Sequence, residues 1–301
     1  MIPSIAFHKN VSPFSALVYG AWRMADGADT SAQTALTKIE RCLDLGITTF
    51  DHADIYGDYR CEALFGEALK LKPSLKQQMQ IVSKCGIKLI SSQYPDRRVK
   101  HYDTSPAHIR YSVDNSLKRL GVERLDALLI HRPDPFMNAH ETGACLDALV
   151  QEGKIAAAGV SNFSVTDFDL LQSAMQTPLV TNQLELSLLA QHAFLDGSVS
   201  QCQQHHIRPM AWSPLGGGRL FGNDPVALRL RPALQRIAQE QGVDIDAVAI
   251  AWLMAHPAGI VPVVGTNQLD RIGRLGDALK VKLDLETWYE LWTLAAGKEV
   301  P

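Results

Sequence analysis

The sequence predicts an α/β fold, a (β/α)8 TIM barrel with an N-terminal hairpin and two extra helices. Short apolar runs of strand character alternate with longer segments of helical period through most of the 301 residues, which is typical of parallel βα units. Eight such runs are present, the number of strands that closes a barrel. Neither an internal repeat nor a low-complexity linker interrupts the chain, so we expect one domain over residues 1–301.

Each predicted strand is a short cluster of aliphatic and β-branched residues. The helical segments between strands are amphipathic. In residues 31–45, for example, Ala35, Ile39 and Cys42 fall on one face before Gly46 ends the helix. In chain order, the predicted strands span residues 17–21, 48–51, 80–83, 127–130, 156–160, 179–182, 209–212 and 260–264.

The remaining predicted elements lie before, between and after these alternating strands and helices. Residues before 17 are expected to form a hairpin that closes the bottom of the barrel, residues 246–255 an extra helix, and residues 285–295 a terminal helix outside it. The connections 87–104 and 214–230 are too long for simple turns. Both follow strands, and loops after strands build the active-site face of a barrel. We therefore expect them to shape a substrate pocket and a cofactor clamp.

The composition argues against several classes of partner. With 29 basic and 32 acidic residues, a formal charge of −3 offers no global attraction to nucleic acid or to anionic lipid. No apolar run reaches membrane-spanning length, and the first ten residues lack a secretory core. The five cysteines show no CxxC spacing and no HExxH pattern occurs, so we expect reduced thiols, no metal and a cytoplasmic protein.

Four polar residues lie just past predicted strands. Asp51 ends the second strand and Tyr56 comes shortly after it, while Lys84 follows the third strand and His131 the fourth. Because the carboxyl ends of barrel strands share one face, we expect these side chains to meet there.

This set has the composition of a tuned acid. A phenol with a reference pKa of roughly 10 is a weak proton donor near neutral pH, but the Lys84 ammonium would lower the pKa of Tyr56. Asp51 would supply the counter-charge of a lysine in a water-poor pocket, and His131 could hydrogen-bond a substrate carbonyl. The alternative is a buried Asp51–Lys84 ion pair without a chemical role.

Several motifs follow one another along the chain: FDHADIYG (50–57), IVSK (81–84), LLIHRP (128–133), GKI (153–155), GVSNF (159–163), NQ (182–183) and WSPLGGG (212–218). In this order they resemble the aldo-keto reductase family. The resemblance extends over almost the whole chain and implies an oxidoreductase that transfers a hydride from NADPH to an aldehyde or ketone. It matches Asp51, Tyr56, Lys84 and His131 to the catalytic tetrad of that family, with Tyr56 as the general acid.

The resemblance also implies which residues bind NADPH. Ser161, Asn162 and Gln183 match positions that hydrogen-bond the nicotinamide carboxamide, a group that needs both donors and acceptors. Trp212 matches the aromatic residue on which the ring stacks. A glycine-rich stretch would approach the pyrophosphate, and a helix beginning near residue 269 would attract the adenosine 2′-phosphate. The expected phosphate contacts are Ser213, Leu215, Gly217, Arg219, Gly265, Thr266, Asn267 and Arg271.

The sequence departs from the commonest family pattern at the expected phosphate site. Gly265 stands where many members carry a lysine, and Arg274 and Leu275 replace a Glu-Asn pair. Arg274 either restores the missing positive charge or is an ordinary surface arginine. We expect NADPH to be preferred over NADH.

The expected substrate is a small-molecule carbonyl compound, with Trp22, Tyr56 and His131 lining its pocket. Two other functions stay open: a nicotinamide-binding regulatory or sensor protein with little turnover, and a barrel isomerase or lyase that uses Lys84 as a Schiff-base nucleophile. The isomerase or lyase function would leave the residues that are expected to contact the nicotinamide without a role. We expect a monomer, which is common in the family.

Overall fold

The computed structural model describes residues 1–7 and 11–301, and eight of its strands form a closed parallel barrel. Their hydrogen-bonded order is β3-β4-β5-β8-β9-β10-β11-β12, and β12 pairs back to β3. The strands are β1 (Ser4–Ile5), β2 (Phe14–Ser15), β3 (Val18–Gly20), β4 (Thr49–Asp51), β5 (Gln80–Cys85), β6 (Ile87–Lys88), β7 (His101–Tyr102), β8 (Ala127–Ile130), β9 (Ala158–Ser161), β10 (Leu179–Glu185), β11 (Met210–Trp212) and β12 (Val261–Val264).

Helices connect the barrel strands and cover the outside of the barrel. Among the described residues, no helix is both long and apolar enough to cross a membrane. The helices are α1 (Ala32–Asp44), α2 (Tyr56–Tyr59), α3 (Cys61–Leu71), α4 (Pro106–Leu120), α5 (Ala139–Gln151), α6 (Val165–Ser173), α7 (His192–Leu195), α8 (Ser198–Gln204), α9 (Pro225–Gln241), α10 (Ile245–Met254), α11 (Leu269–Arg274) and α12 (Leu285–Ala296).

The predicted (β/α)8 barrel is confirmed, and each of its eight predicted strands overlaps an observed one. Three strands run further than predicted: β5 extends to Cys85, β9 to Ser161 and β10 to Glu185. Lys84 therefore lies within a strand rather than after it. The polar character of Lys84 hides the end of β5 from a pattern that searches for apolar residues.

The N-terminal hairpin seals the amino-terminal end of the barrel. Strands β1 and β2 pair antiparallel, as predicted, and residues 8–10 of the predicted hairpin lie outside the described residues. The rings of Phe7 and Phe14 stack with centroids 4.4 Å apart and pack against the apolar barrel interior, which includes Val18, Leu129 and Val261. The base of the barrel is thus filled by side chains.

Helix α1 shows how local sequence sets an element. The Ser31 hydroxyl accepts a hydrogen bond from the Thr34 amide at the N-cap, and Ala35, Ile39 and Cys42 are buried. Gly46 follows with a positive φ of 84°, and a Cβ there would lie 2.6 Å from a backbone oxygen. Glycine is required at this position both for its conformation and for the close approach.

The two extra helices, α10 and α12, pack together through an aromatic cluster. The indoles of Trp252 and Trp288 stack at 4.8 Å, and each donates a hydrogen bond to the other residue's backbone carbonyl. Trp292 and Phe194 complete the cluster. This fixes the C-terminal helix against the barrel's outer layer and leaves the carboxyl ends of the strands uncovered.

Both long connections are more ordered than predicted. Residues 87–104 contain the antiparallel pair β6 and β7. The second connection ends before residue 230, because α9 begins at Pro225, where Asp224 caps the helix by accepting from the Val226 amide. Proline lacks an N–H and suits the first turn of a helix, which the sequence prediction overlooked.

All five cysteines lie within the described residues, and all are buried and free. Burial raises the pKa of each thiol and is the largest cause of the shift in every case. The expected reduced thiols are thus packed, protonated groups.

Candidate active site

A cavity of about 860 Å³ opens at the carboxyl ends of the barrel strands. Lys84 lies beneath its floor, and Arg219 lies outside it. The other residues singled out from the sequence line this one cavity: Trp22, Asp51, Tyr56, His131, Ser161, Asn162, Gln183, Trp212, Ser213, Leu215, Gly217, Gly265, Thr266, Asn267 and Arg271.

The Lys84 ammonium lies at the centre of the polar cluster beneath the cavity floor. Its Nζ lies 2.6 and 2.7 Å from the two Asp51 carboxylate oxygens, 2.8 Å from the His52 carbonyl and 3.0 Å from the Tyr56 hydroxyl. Burial is the largest influence on the pKa of Lys84 and lowers it, but the Asp51 charge and Tyr56 together outweigh it, so the pKa is raised. Lys84 is therefore held as a charged ammonium with every proton engaged.

Tyr56 holds its proton more firmly than the sequence predicts. Burial raises the pKa of the Tyr56 phenol, and the Lys84 ammonium opposes that rise without cancelling it. The predicted net lowering is wrong, because a pattern of residue types does not reveal how completely the phenol is desolvated. At neutral pH Tyr56 is a neutral donor, and Lys84 stands where it would stabilise the tyrosinate.

His131 faces Tyr56 across the cavity. The two rings meet edge-on with centroids 5.8 Å apart. Burial, helped by the positive charges of Lys84 and Arg132, holds the pKa of His131 well below its ordinary value. The imidazole is therefore neutral and offers one N–H donor, which can polarise an oxygen without carrying charge.

The opposite wall carries a chain of hydrogen bonds suited to a carboxamide. The Trp212 Nε1 donates to the Asn162 side-chain oxygen at 2.8 Å, and the Asn162 amide donates to the Ser161 hydroxyl at 2.8 Å. Gln183 donates to Asp51 at 3.0 Å, so this wall is bonded directly to the Lys84 site. Within the described residues the side-chain amide oxygen of Gln183 has no hydrogen-bond partner, which leaves an acceptor for an amide ligand.

The glycine-rich stretch after β11 lines one side of the cavity. Gly216, Gly217 and Gly218 have φ values of 59°, 66° and 100°, which favour glycine. Arg219 does not reach the cavity, contrary to its predicted phosphate contact. Its guanidinium lies 3.3 Å from the Asp224 carboxylate, a partner five residues away that the sequence analysis did not weigh.

The expected 2′-phosphate end of the cavity has a different basic group from the commonest family pattern. A Cβ at Gly265 would lie 3.1 Å from the Gly20 carbonyl oxygen, so a larger residue has little room there. Arg271 lines the cavity, whereas Arg274 is paired with Asp244 and lies outside it. The surface-arginine interpretation of Arg274 thus fits the structure, and of the two arginines only Arg271 lines the cavity.

Three cations near the cavity were missed in the sequence. Arg23, Lys100 and Arg132 line it, and the Arg132 guanidinium lies 5.5 Å from the Trp212 ring centre. Lys100 and Arg132 form no ion pair with any residue the structure describes. The signals were present, because Arg132 directly follows His131 and Lys100 lies in the predicted pocket loop, but residue type alone did not distinguish them from solvated side chains.

A second polar cluster is buried behind the Lys84 strand. Asp54 accepts a 2.8 Å bond from the Ser112 hydroxyl, and Glu62 accepts a 2.7 Å bond from the Ser83 hydroxyl. Burial, reinforced by the Glu62 charge, raises the pKa of Asp54 to about 7. Arg119 lies 3.7 Å from Glu62 and is the nearby cation. Two carboxyls thus share one positive charge.

The comparisons with known proteins agree with this geometry. Residues 16–295 match the model of the Aldo/keto reductase family. The chain is 56% identical to a 6-dehydroglucose reductase of Agrobacterium fabrum over 95% of this chain and 96% of that protein.

Solved structures share the fold. The glycerol dehydrogenase of Gluconobacter oxydans superposes with a TM-score of 0.84 at 26% identity, over 99% of this chain and 94% of that one. An aldo-keto reductase of Klebsiella pneumoniae, solved in complex with NADPH, gives a TM-score of 0.78 at 24% identity, over 100% of this chain and 96% of that one. The chain therefore belongs to the aldo/keto reductase family of oxidoreductases.

Proposed function

We propose that this protein reduces an aldehyde carbonyl with NADPH, and that Tyr56 donates the proton. The observation that carries the proposal is the Lys84 ammonium, which touches both the Asp51 carboxylate and the Tyr56 hydroxyl within 3.0 Å at the cavity floor. When bound, NADPH supplies the hydride for the carbonyl carbon. Tyr56 protonates the oxygen, and Lys84 stabilises the phenolate that this leaves.

His131 complements Tyr56 in this scheme. Its neutral imidazole donates a hydrogen bond to the carbonyl oxygen, which polarises the carbonyl as negative charge develops. Because its pKa lies well below the ordinary value, His131 holds no extra proton at neutral pH. Tyr56 is thus the acid of the pair.

The cofactor assignment rests on the family and on the donor set of the cavity. Ser161, Asn162 and Gln183 would hold the carboxamide, and the Trp212 indole would cover one face of the nicotinamide. Arg271, at the far end of the cavity, would bind the 2′-phosphate that distinguishes NADPH from NADH. The whole chain would act as one domain.

A sugar-derived aldehyde such as 6-dehydroglucose is the proposed substrate. The closely similar protein of Agrobacterium fabrum carries that activity in its name. Lys100, Arg132 and Asp58 line the cavity beside Tyr56, and such charged groups hydrogen-bond hydroxyls more strongly than neutral ones do. A hydroxylated aldehyde would therefore be bound better than an alkyl aldehyde of similar size.

The alternative with a Schiff base on Lys84 loses support. A nucleophilic lysine must be a neutral amine, whereas Lys84 has a raised pKa and all its protons engaged. A regulatory role without turnover gives no reason for a complete set of Asp51, Tyr56, Lys84 and His131.

The test compares Tyr56→Phe with the control Tyr289→Phe, which removes a hydroxyl from an exposed tyrosine. Binding of NADPH and NADH is measured by tryptophan quenching, and reduction of 6-dehydroglucose by loss of nicotinamide absorbance. We expect Tyr56→Phe to bind NADPH normally and to lose turnover. Joint loss of binding and turnover would show a structural role, whereas wild-type binding without turnover on any carbonyl would favour the regulatory function.

A further inference from the structure

The turn that follows Tyr56 has an unusual backbone. Gly57, Asp58 and Tyr59 have φ values of 59°, 54° and 66°, so two residues with side chains adopt the left-handed region. Such conformations are uncommon for non-glycine residues and persist only where neighbouring groups hold them. The groups that hold this turn also lie next to the proton donor.

The holding groups come from the loop 87–104. The Tyr59 hydroxyl accepts a 3.0 Å bond from the Leu89 amide and a 2.6 Å bond from the Arg97 guanidinium. Arg97 also donates to the Leu89 carbonyl at 3.3 Å. Its guanidinium carbon lies 3.7 Å from the centre of the Tyr94 ring, and that ring meets Tyr59 edge-on at 4.9 Å. We call Tyr59, Leu89, Tyr94 and Arg97 the Arg97 clasp.

A further bond joins the same two segments beside the clasp. The Gln93 side-chain amide donates to the Asp58 carbonyl at 2.5 Å. Most of these contacts join the half-buried Arg97 guanidinium, the buried Tyr59 phenol and main-chain atoms. Because Arg97 contacts Tyr59, Leu89 and Tyr94, its removal would take one contact from each of them at once and leave the Leu89 amide bond to Tyr59 as the remaining hydrogen bond within the clasp.

Both fastened segments line the cavity. The turn contributes Gly57 and Asp58, and the loop contributes Ile87, Leu89 and Lys100. These residues lie on the Tyr56 side. The side of the cavity that would bind the cofactor is formed by Ser161, Gln183 and Trp212, which belong to other strands. The clasp therefore fixes the width of the cavity beside Tyr56, where the substrate would bind, and does not contact the cofactor side.

We propose that Arg97 is a positioning residue that sets substrate specificity by holding the loop 87–104 closed against the Tyr56 turn. The proposal rests on the proposed function, because it assigns the Tyr56 half of the cavity to the substrate. Without Arg97, only a fraction of the molecules would hold the loop closed. The apparent substrate affinity would then equal the affinity of the closed form multiplied by that fraction. NADPH affinity would be unchanged.

The kinetic test compares Arg97→Met with Arg98→Met. Arg98 is adjacent and exposed, and no described residue bonds to its side chain, so the control removes the same charge without unfastening the clasp. We expect Arg97→Met to raise the KM for 6-dehydroglucose about 10-fold, as for loss of a charged hydrogen bond, and to change kcat and NADPH affinity little. A KM equal to that of Arg98→Met would overturn the proposal.

Two further measurements separate positioning from general damage. Amide hydrogen exchange at Leu89 should accelerate in Arg97→Met and not in Arg98→Met, and this readout needs no substrate. Tyr59→Phe removes the shared acceptor, so its effect on KM should not add to that of Arg97→Met. Additive effects, or unchanged exchange at Leu89, would refute the clasp. If the wild type reduces no carbonyl, the proposed function fails while the exchange test still decides whether the clasp holds the loop.

Discussion

Replacement of Lys84 by methionine tests whether the buried ion pair is chemical or only structural. Lys84 and Asp51 are 0% and 3% exposed, so the change leaves a buried carboxylate whose remaining side-chain donor is Gln183 at 3.0 Å. Breaking a buried pair in this way costs about 3 to 5 kcal/mol of unfolding free energy. The same change removes the ammonium that opposes the rise in the pKa of Tyr56, so turnover should fall by about 10²- to 10⁴-fold.

The double variant Asp51→Asn/Lys84→Met separates the two effects. It leaves no unpaired charge, so most of the lost unfolding free energy should return, because removing both members of a buried pair is often nearly neutral. Turnover should stay low, because the ammonium beside Tyr56 is still missing. NADPH affinity should be close to that of the wild type.

Urea denaturation, NADPH quenching and turnover with 6-dehydroglucose measure the three quantities on the same samples. The reasoning is refuted if Lys84→Met retains turnover within tenfold of the wild type, since the ammonium would then have no part in the chemistry. Recovery of turnover in the double variant would show that the single variant failed through misfolding.

Two predictions concern stability. Asp54 has a pKa of about 7 in the folded protein against an ordinary 3.8. Protonated Asp54 therefore stabilises the fold fully below its ordinary pKa, and this stabilisation is lost as the pH rises through its folded pKa. Between about pH 5 and 8 the unfolding free energy of the wild type should fall by about 2 to 3 kcal/mol more than that of Asp54→Asn; parallel urea curves would contradict this. In Gly66→Ala the new Cβ would lie 1.9 Å from the Arg119 carbonyl oxygen, forcing α3 from α4. We expect a loss of roughly 2 to 4 kcal/mol in thermal unfolding, against little change for Gly276→Ala, whose Cβ meets nothing within 4 Å; equal melting temperatures would count against it.

Much of the fold was predictable because the barrel strands are buried apolar runs. Strand β8 (Ala127–Ile130), for example, has its predicted bounds, since all four residues are aliphatic and buried. The gathering of Asp51, Tyr56, Lys84 and His131 followed from their places at strand ends. A hydropathy pattern is read from residues that are close in the sequence, and such residues are enough to locate a short buried strand and its end.

What escaped prediction depends on which partner each polar side chain contacts in the folded chain. Arg219 is directed to Asp224 rather than to the cavity, and the turn at Asp58 and Tyr59 is held by a loop about 30 residues further on. The rise in the pKa of Tyr56 likewise reflects how far the folded chain removes the phenol from water, which the motif does not encode. Hydropathy patterns record periodicity, not which polar partner each side chain finds.

The burial of the cysteines determines whether they can react with the aldehyde that we propose as the substrate. Aldehydes are electrophiles, and the thiolate is the form of cysteine that attacks them. All five thiols are buried, with pKa values raised by that burial. The folded protein therefore presents no accessible thiolate to an aldehyde, so the proposed substrate would not add to its sulfur atoms to form hemithioacetals.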